Sequence, residues 1–169
     1  VLDKNQTIAF RINGAYERSD NYRPIINSDR VYINPSLEWR PDDKTTVTLE
    51  MDYLNDNRTP VNAAINLADI DTEALYEIPK NKFRGTKADN INTKTATYAA
   101  RITRILSEKV YVRAAYFKSK YEFDNFRTTI GTAPVKGDWG VRQRALARDT
   151  RDDSNSTFQL DLIGRDVYT

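Results

Sequence analysis

The residues best suited to chemistry lie in one run, Trp139-Gly140-Val141-Arg142-Gln143-Arg144, with Arg148 and Arg151 just beyond it. Guanidinium groups beside an indole make a basic and aromatic surface that draws in an anionic ligand by Coulomb steering. The same arginines can instead be neutralised by Asp149, Asp152 and Asp153, because charge runs are usually solvated faces. Tyr121, Phe123 and Phe126 are placed either to line a ligand vestibule or to continue a strand. The tract Asp149-Thr150-Arg151-Asp152-Asp153 breaks the alternating oxygen-ligand pattern of a calcium loop at Arg151, so no metal site is expected there. Asp42 and Asp43 share a turn without a convergent partner, which does not indicate catalysis. The chain has no His and no Cys, which removes imidazole bases, His- or thiolate-ligated metals, catalytic triads and disulfides. What remains is binding chemistry rather than an enzyme. No cofactor and no nucleic-acid partner are expected.

The elements that position these groups are strands. In Val31 to Tyr53, the residues Val31, Ile33, Pro35, Leu37 and Trp39 alternate with Tyr32, Asn34, Ser36, Glu38 and Arg40. After Pro41-Asp42-Asp43-Lys44 the pattern resumes, with Val47, Leu49, Met51 and Tyr53 against Thr46, Thr48, Glu50 and Asp52. Period-two alternation around a turn is a hairpin with one apolar and one polar wall. Each arm is about as long as the 9–11 residues a tilted strand needs to cross a bilayer, against about 5–6 for soluble strands. The chain is hydrophilic overall and has no run near the roughly 20 apolar residues of a transmembrane helix.

The unit recurs along the chain. A first strand is expected over 6–19, where Phe10, Ile12 and Tyr16 alternate with polar residues and Gly14 takes an apolar-face slot. A short excursion over 20–29 leads into the hairpin, whose second arm ends near Asn55. A long excursion follows over about 56–92, then arms over 95–105 and 110–119 around Ser107-Glu108-Lys109. Another long excursion covers about 120–155, and a last arm runs over 156–168. Asp71 to Glu77, stopped by Pro79, is expected as a short helix in the first long loop. In an up-and-down barrel successive connections alternate between rims, so the two tight turns share one rim and the longer excursions the other. That is the asymmetry of outer-membrane barrels, with short periplasmic turns and long extracellular loops. Six arms are fewer than the eight of the smallest usual transmembrane barrels, and an unpaired sheet edge in hydrocarbon is costly. The fold class expected is therefore all-β: an antiparallel up-and-down transmembrane β-barrel segment, about six strands of a larger barrel, with long extracellular loops. Val1 begins mid-pattern, and processing or truncation is expected.

The pieces SDNYRP, INPSLEWRPDDKTTVTLEMDYLNDNRTP, IPKNKFRGTKADNINTKTATYAARI and STFQLDLIG resemble consecutive parts of the barrel of TonB-dependent siderophore receptors of the ferrichrome and pyoverdine type. The most specific piece is the PSLEWRPDDKTTVTLEMDY hairpin. Pro79 to Gly85 resembles the family's loop re-entry, and Asp161 with Gly164 a late-strand pattern. The resemblance implies a bacterial outer-membrane receptor that binds and imports a ferric siderophore or similar chelate. Such receptors are plugged barrels of about 22 strands, driven by the TonB-ExbB-ExbD complex. Residues 1–169 are expected to be a partial barrel domain without the plug, facing outer-membrane lipid and supplying wall and loops. On this reading Trp139, Arg142, Arg144, Tyr121 and Phe126 are the candidate ligand-binding residues. The arginines alternatively meet lipopolysaccharide phosphates.

Two other readings share the strands. A passive porin-like channel would lack the plug, and a soluble lipocalin-like binding barrel would turn the apolar face inward. The lipid-facing assignment is favoured because Glu38, Arg40, Glu50 and Asp52 occupy the other face, where a small filled barrel could not bury them cheaply. Trp39, beside the tight turn, and Tyr53, near the far end of its arm, are then expected in the two aromatic girdles.

Overall fold

The computed structural model describes residue 5, residues 7–61 and residues 81–165, with backbone alone at 132–134 and 138–140. The expected helix over 71–77 lies outside the described residues. Six strands form one antiparallel sheet in chain order: β1 (Ile8–Asp20), β2 (Asn27–Asp42), β3 (Thr45–Arg58), β4 (Asn90–Ser107), β5 (Val110–Val135) and β6 (Asp138–Gly164). No helix occurs among the described residues. β1 and β6 do not touch, so both are open edges here.

The alternation fixes the register. Leu37 of β2 pairs with Phe10 and with Leu49, Leu49 with Ala100, Ala100 with Tyr116, and Tyr116 with Phe158. Every partner comes from the apolar parity of its strand, so one face is apolar across all six. That face has no covering layer: Phe10 is 48% exposed, Leu49 45% and Leu160 65%, and the only buried apolar residues described are Ile26 and Ala115. Pairing supplies the backbone hydrogen bonds while apolar burial is nearly absent, so this face is matched to an apolar surrounding rather than to water.

The opposite face is knitted by polar groups. The Arg101 guanidinium donates to Glu50 and lies 5.2 Å from the Phe117 ring centre. The Tyr32 hydroxyl donates to Asp52 at 2.7 Å, and Asn34 donates to the same carboxylate at 2.9 Å. Arg40 pairs with Glu38 at 2.7 Å.

Short connections sit at one rim, as expected. Asp42 accepts from the Lys44 N–H at 2.8 Å, and Arg104 donates to Asp42 at 3.3 Å and to the Thr45 hydroxyl at 2.7 Å. The Lys44 amide first, then the Thr45 hydroxyl and the Arg104 charge, hold the Asp42 carboxyl below its ordinary range. Asp42 therefore has partners, and they build a turn. At the other rim Ile25 adopts φ 81°, uncommon for a β-branched residue. Its carbonyl accepts from Thr59 Oγ1 at 3.0 Å and Ile26 beside it is buried, which together hold the connection down.

One expected boundary is overturned. The excursion over 120–155 is not a loop: β5 continues to Val135 and β6 begins at Asp138, joined by Lys136 and Gly137 with φ 51° and 77°. Two successive positive φ values make the mirror-type turn whose twist suits a hairpin. From Lys120 to Thr129 the β5 side chains are polar, charged or aromatic, and aliphatic residues such as Ile130, Val141 and Leu146 return only near the tip, so the aliphatic alternation stops while backbone pairing continues. By the same mechanism β4 starts at Asn90 instead of Thr95 and β3 ends at Arg58 instead of Asn55.

Candidate functional site

β5 and β6 have 26 and 27 residues, against 18 for β4 and 13 for β1, and they project beyond the rest of the sheet. The last apolar pair is Tyr116 with Phe158. From Tyr116 to Ile130 the strand runs roughly 48 Å at ~3.4 Å per residue, or about 35 Å of height at the usual barrel tilt.

Unbroken register from Val110 to Ile130 sorts the candidate residues between the two faces. Tyr121 is on the polar face, stacked on Phe123 with centroids 6.4 Å apart and planes 9° from parallel. Arg151 reaches over the Tyr121 ring at 5.9 Å. Arg127 pairs with Asp149 at 3.1 Å on the same face. Phe126 and Arg144 have the opposite parity, continuous with Leu160, and Arg144 pairs across the strands with Ile130. Beside Phe126, Arg148 donates two hydrogen bonds to Asp124 at 3.0 and 2.8 Å. This bidentate contact lowers the Asp124 pKa and raises that of Arg148. The Asp149 to Asp153 tract is strand, so alternation puts Asp149 and Asp153 on one face and Asp152 on the other. The side chain of Trp139 is outside the described ones.

The second component is the segment over 81–89, which leads into β4. Lys82 and Arg84 join Arg142 and Arg144 around a groove of about 400 Å³. Phe83, Ile130 and Val141 supply its apolar lining, and no carboxylate is among its described lining residues. The structure thus brings Arg142 and Arg144 together, adds two cations, and places Tyr121 on the other face of the hairpin. Lys82 and Arg84 were missed as site residues because they are distant in sequence, although the Pro79 to Gly85 piece had been singled out as a loop re-entry.

Asp89 pins this segment. It is 3% exposed, and its Oδ1 accepts from Thr86 Oγ1 and from Thr128 Oγ1 of β5, each at 2.7 Å. Burial pushes the Asp89 pKa up, but the Thr86 and Thr128 hydroxyls and amides together outweigh it and leave the carboxyl below its ordinary range. Gly85 is required because a Cβ there would lie 2.2 Å from Asp89 Oδ2 and 2.5 Å from Phe83 Cζ.

The most apolar hollow, about 330 Å³ between Phe10, Leu37, Leu49, Met51, Tyr98 and Tyr116, lies instead on the uncovered face. No convergent set of polar side chains equips it for recognition, and we read it as surface relief on that face.

An uncovered apolar face, a polar hydrogen-bonded face, tight turns at one rim and projections at the other are the features of a β-barrel wall segment. No family model matches the chain. It is homologous to the metal-pseudopaline receptor CntO of Pseudomonas aeruginosa, being 24% and 23% identical to the proteins of two strains over 169 residues, 99% of this chain and 23% of each relative. Its fold matches the siderophore receptor PiuA of Acinetobacter baumannii with a TM-score of 0.73 at 20% identity, over 96% of this chain and 24% of that one. The ferric-catecholate import receptor Fiu of E. coli gives 0.71 at 20% identity, over 94% and 27%. The ferric preacinetobactin receptor BauA of A. baumannii gives 0.68 at 17%, over 96% and 24%. The chain spans about a quarter of the length of these proteins. They are receptors rather than enzymes, and the sequence resemblance to siderophore-receptor barrels is upheld.

Proposed function

We propose that residues 1–169 are wall and extracellular rim in the barrel of a TonB-dependent outer-membrane receptor that binds and imports a ferric siderophore or similar metal chelate. The TonB-ExbB-ExbD complex acts on it through a plug domain outside these residues. The relatives support the ligand class, being receptors for metal-pseudopaline, ferric catecholate and ferric preacinetobactin. The observation that carries the reading is the groove that gathers Lys82, Arg84, Arg142 and Arg144 on a projection of the rim. Its charge concentrates an anionic chelate before the chelate reaches the lumen. Tyr121, stacked with Phe123 on the polar face, offers a flat ring at the mouth, and Trp139 and, on the opposite face, Phe126 are the other proposed contacts.

Equilibrium binding of a ferric catecholate and of metal-pseudopaline to the intact receptor, for alanine variants at low and high salt, tests this. Arg142→Ala and Arg144→Ala should weaken binding mainly at low salt, because the screening length falls from about 30 Å at 0.01 M to about 3 Å at 1 M. Tyr121→Ala and Phe126→Ala should weaken it alike at both. Unchanged affinity in every variant, with the barrel folded, would move ligand capture to other loops or the plug.

A further inference from the structure

A second pocket lies at the rim opposite the tight turns, over β1 to β3, and shares no described residue with the basic groove. Glu17, Ser19, Ser28, Arg30 and Arg58 have the polar-face parity of Glu50 and Asp52. The register sets Ser28 between Ser19 and Arg58, and Arg30 beside Glu17. With Asp20 at the end of β1 they surround a hollow of about 230 Å³. Two arginines there stand against two carboxylates, whereas the groove gathers four cations. The pocket is charged without being cationic.

Its charges are held apart. Arg30 is 3.5 Å from Glu17 and 3.4 Å from Asp56, and Arg58 is 3.9 Å from Asp56, whereas Arg40 and Glu38 on the same face close to 2.7 Å. Pairs this long leave hydrogen-bonding capacity open on both partners, since a guanidinium has five N–H donors and a carboxylate accepts at two oxygens. Asp56, the least exposed of these groups, is already shared by both arginines. Ser28 contributes an Oγ that has no hydrogen-bond partner among the described residues, a costly state for a shielded hydroxyl. Held by nothing, it is free to step between χ1 wells and meet a ligand oxygen beside Arg58. A simple anion entering this pocket meets Glu17 and Asp20, and a simple cation meets Arg30 and Arg58. A zwitterion sets each of its charges against the opposite one, which selects it over both. We infer that this pocket binds an α-amino-acid group, with Arg58 and the Ser28 hydroxyl on the carboxylate and Glu17 and Asp20 on the ammonium. The inference goes beyond the chelate reading and needs only that the polar face is the wet one.

Saturation-transfer NMR on the intact receptor in lipid nanodiscs tests this with L-alanine, N-acetyl-L-alanine, which lacks the ammonium, and L-alaninamide, which lacks the carboxylate. L-alanine should bind about tenfold more tightly than either blocked form, the loss of one charge-assisted contact. Arg58→Gln should abolish the preference over L-alaninamide and keep the preference over N-acetyl-L-alanine. Glu17→Gln with Asp20→Asn should do the reverse. A general loosening of the rim cannot imitate that crossed pattern, because it weakens all three probes together. Ser28→Ala, the mildest change, should weaken L-alanine and N-acetyl-L-alanine alike and leave L-alaninamide unchanged. No binding of L-alanine, or equal affinities for the three probes, overturns the site. Preferences that survive in every variant, with the barrel folded, place amino-acid binding elsewhere and overturn the assignment to this pocket. A receptor that shows the crossed pattern yet imports no ferric chelate upholds the pocket and overturns the chelate reading alone.

Discussion

Asp89 illustrates how one side chain carries a long-range arrangement. It joins the segment over 81–89 to Thr128 of β5, thereby setting Lys82 and Arg84 against Arg142 and Arg144. Asp89→Ala leaves two hydroxyls without their acceptor, and losing hydrogen bonds to a buried charged group costs about 1–3 kcal/mol. Gly85→Ala should act alike, since its Cβ displaces an Asp89 carboxylate that two hydrogen bonds hold in place. Hydrogen exchange of the intact receptor should show both variants losing protection over 81–90 and keeping it in β2 and β3. A folded-state pKa below the ordinary value means that the Asp89 contribution is complete above the unfolded carboxylate pKa. It is lost as pH falls through the folded one. Protection over 81–90 should therefore be level near neutral pH and decline in acid, and Asp89→Ala should remove that decline. A decline that persists in the variant would place the acid sensitivity elsewhere, for example at Asp124 with Arg148.

At the level of strands, the β2 to β3 hairpin was legible from sequence because apolar parity and backbone pairing coincide from Val31 to Tyr53. The β5 to β6 projection was legible only in part, through the alternative that Tyr121, Phe123 and Phe126 continue a strand. Beyond Ser119 its stability comes from cross-strand pairs such as Asp124 with Arg148 and Tyr121 near Arg151, which leave no period-two hydrophobic signal. The groove was half legible. A basic run announces Arg142 and Arg144, but only the packing of a distant segment adds Lys82 and Arg84. The sheet also predicts an asymmetry within one strand. Leu49 stands uncovered between Leu37 and Ala100, whereas Thr48 sits between Glu38 and Arg101. Leu49→Arg should destabilise the folded barrel by about 2–4 kcal/mol, the cost of a cation near the bilayer midplane. Thr48→Arg, next to Glu38, should cost far less. Folding titrations of the intact receptor into lipid vesicles would measure both, and the reverse order would exchange the two faces.

At the scale of the molecule, the six strands of the described residues, with open edges and an uncovered apolar wall, make a sheet that needs neighbours and an apolar surrounding. The fold matches quarter-length portions of receptor barrels, consistent with a wall whose remaining strands lie elsewhere in those proteins. Everything proposed for the chelate and for the amino-acid pocket depends on which face of that wall meets hydrocarbon. This chain contributes no cysteine, so a spin label placed at each position of β3 from Thr46 to Tyr53, in a cysteine-free form of the intact receptor in lipid bilayers, reports the face residue by residue. Accessibility to oxygen, which partitions into lipid, should peak at Val47, Leu49, Met51 and Tyr53, and accessibility to a water-soluble nickel chelate at Thr46, Thr48, Glu50 and Asp52. Oxygen maxima at the second set, or no two-residue period in either profile, would contradict the assignment of this sheet as a lipid-facing barrel wall.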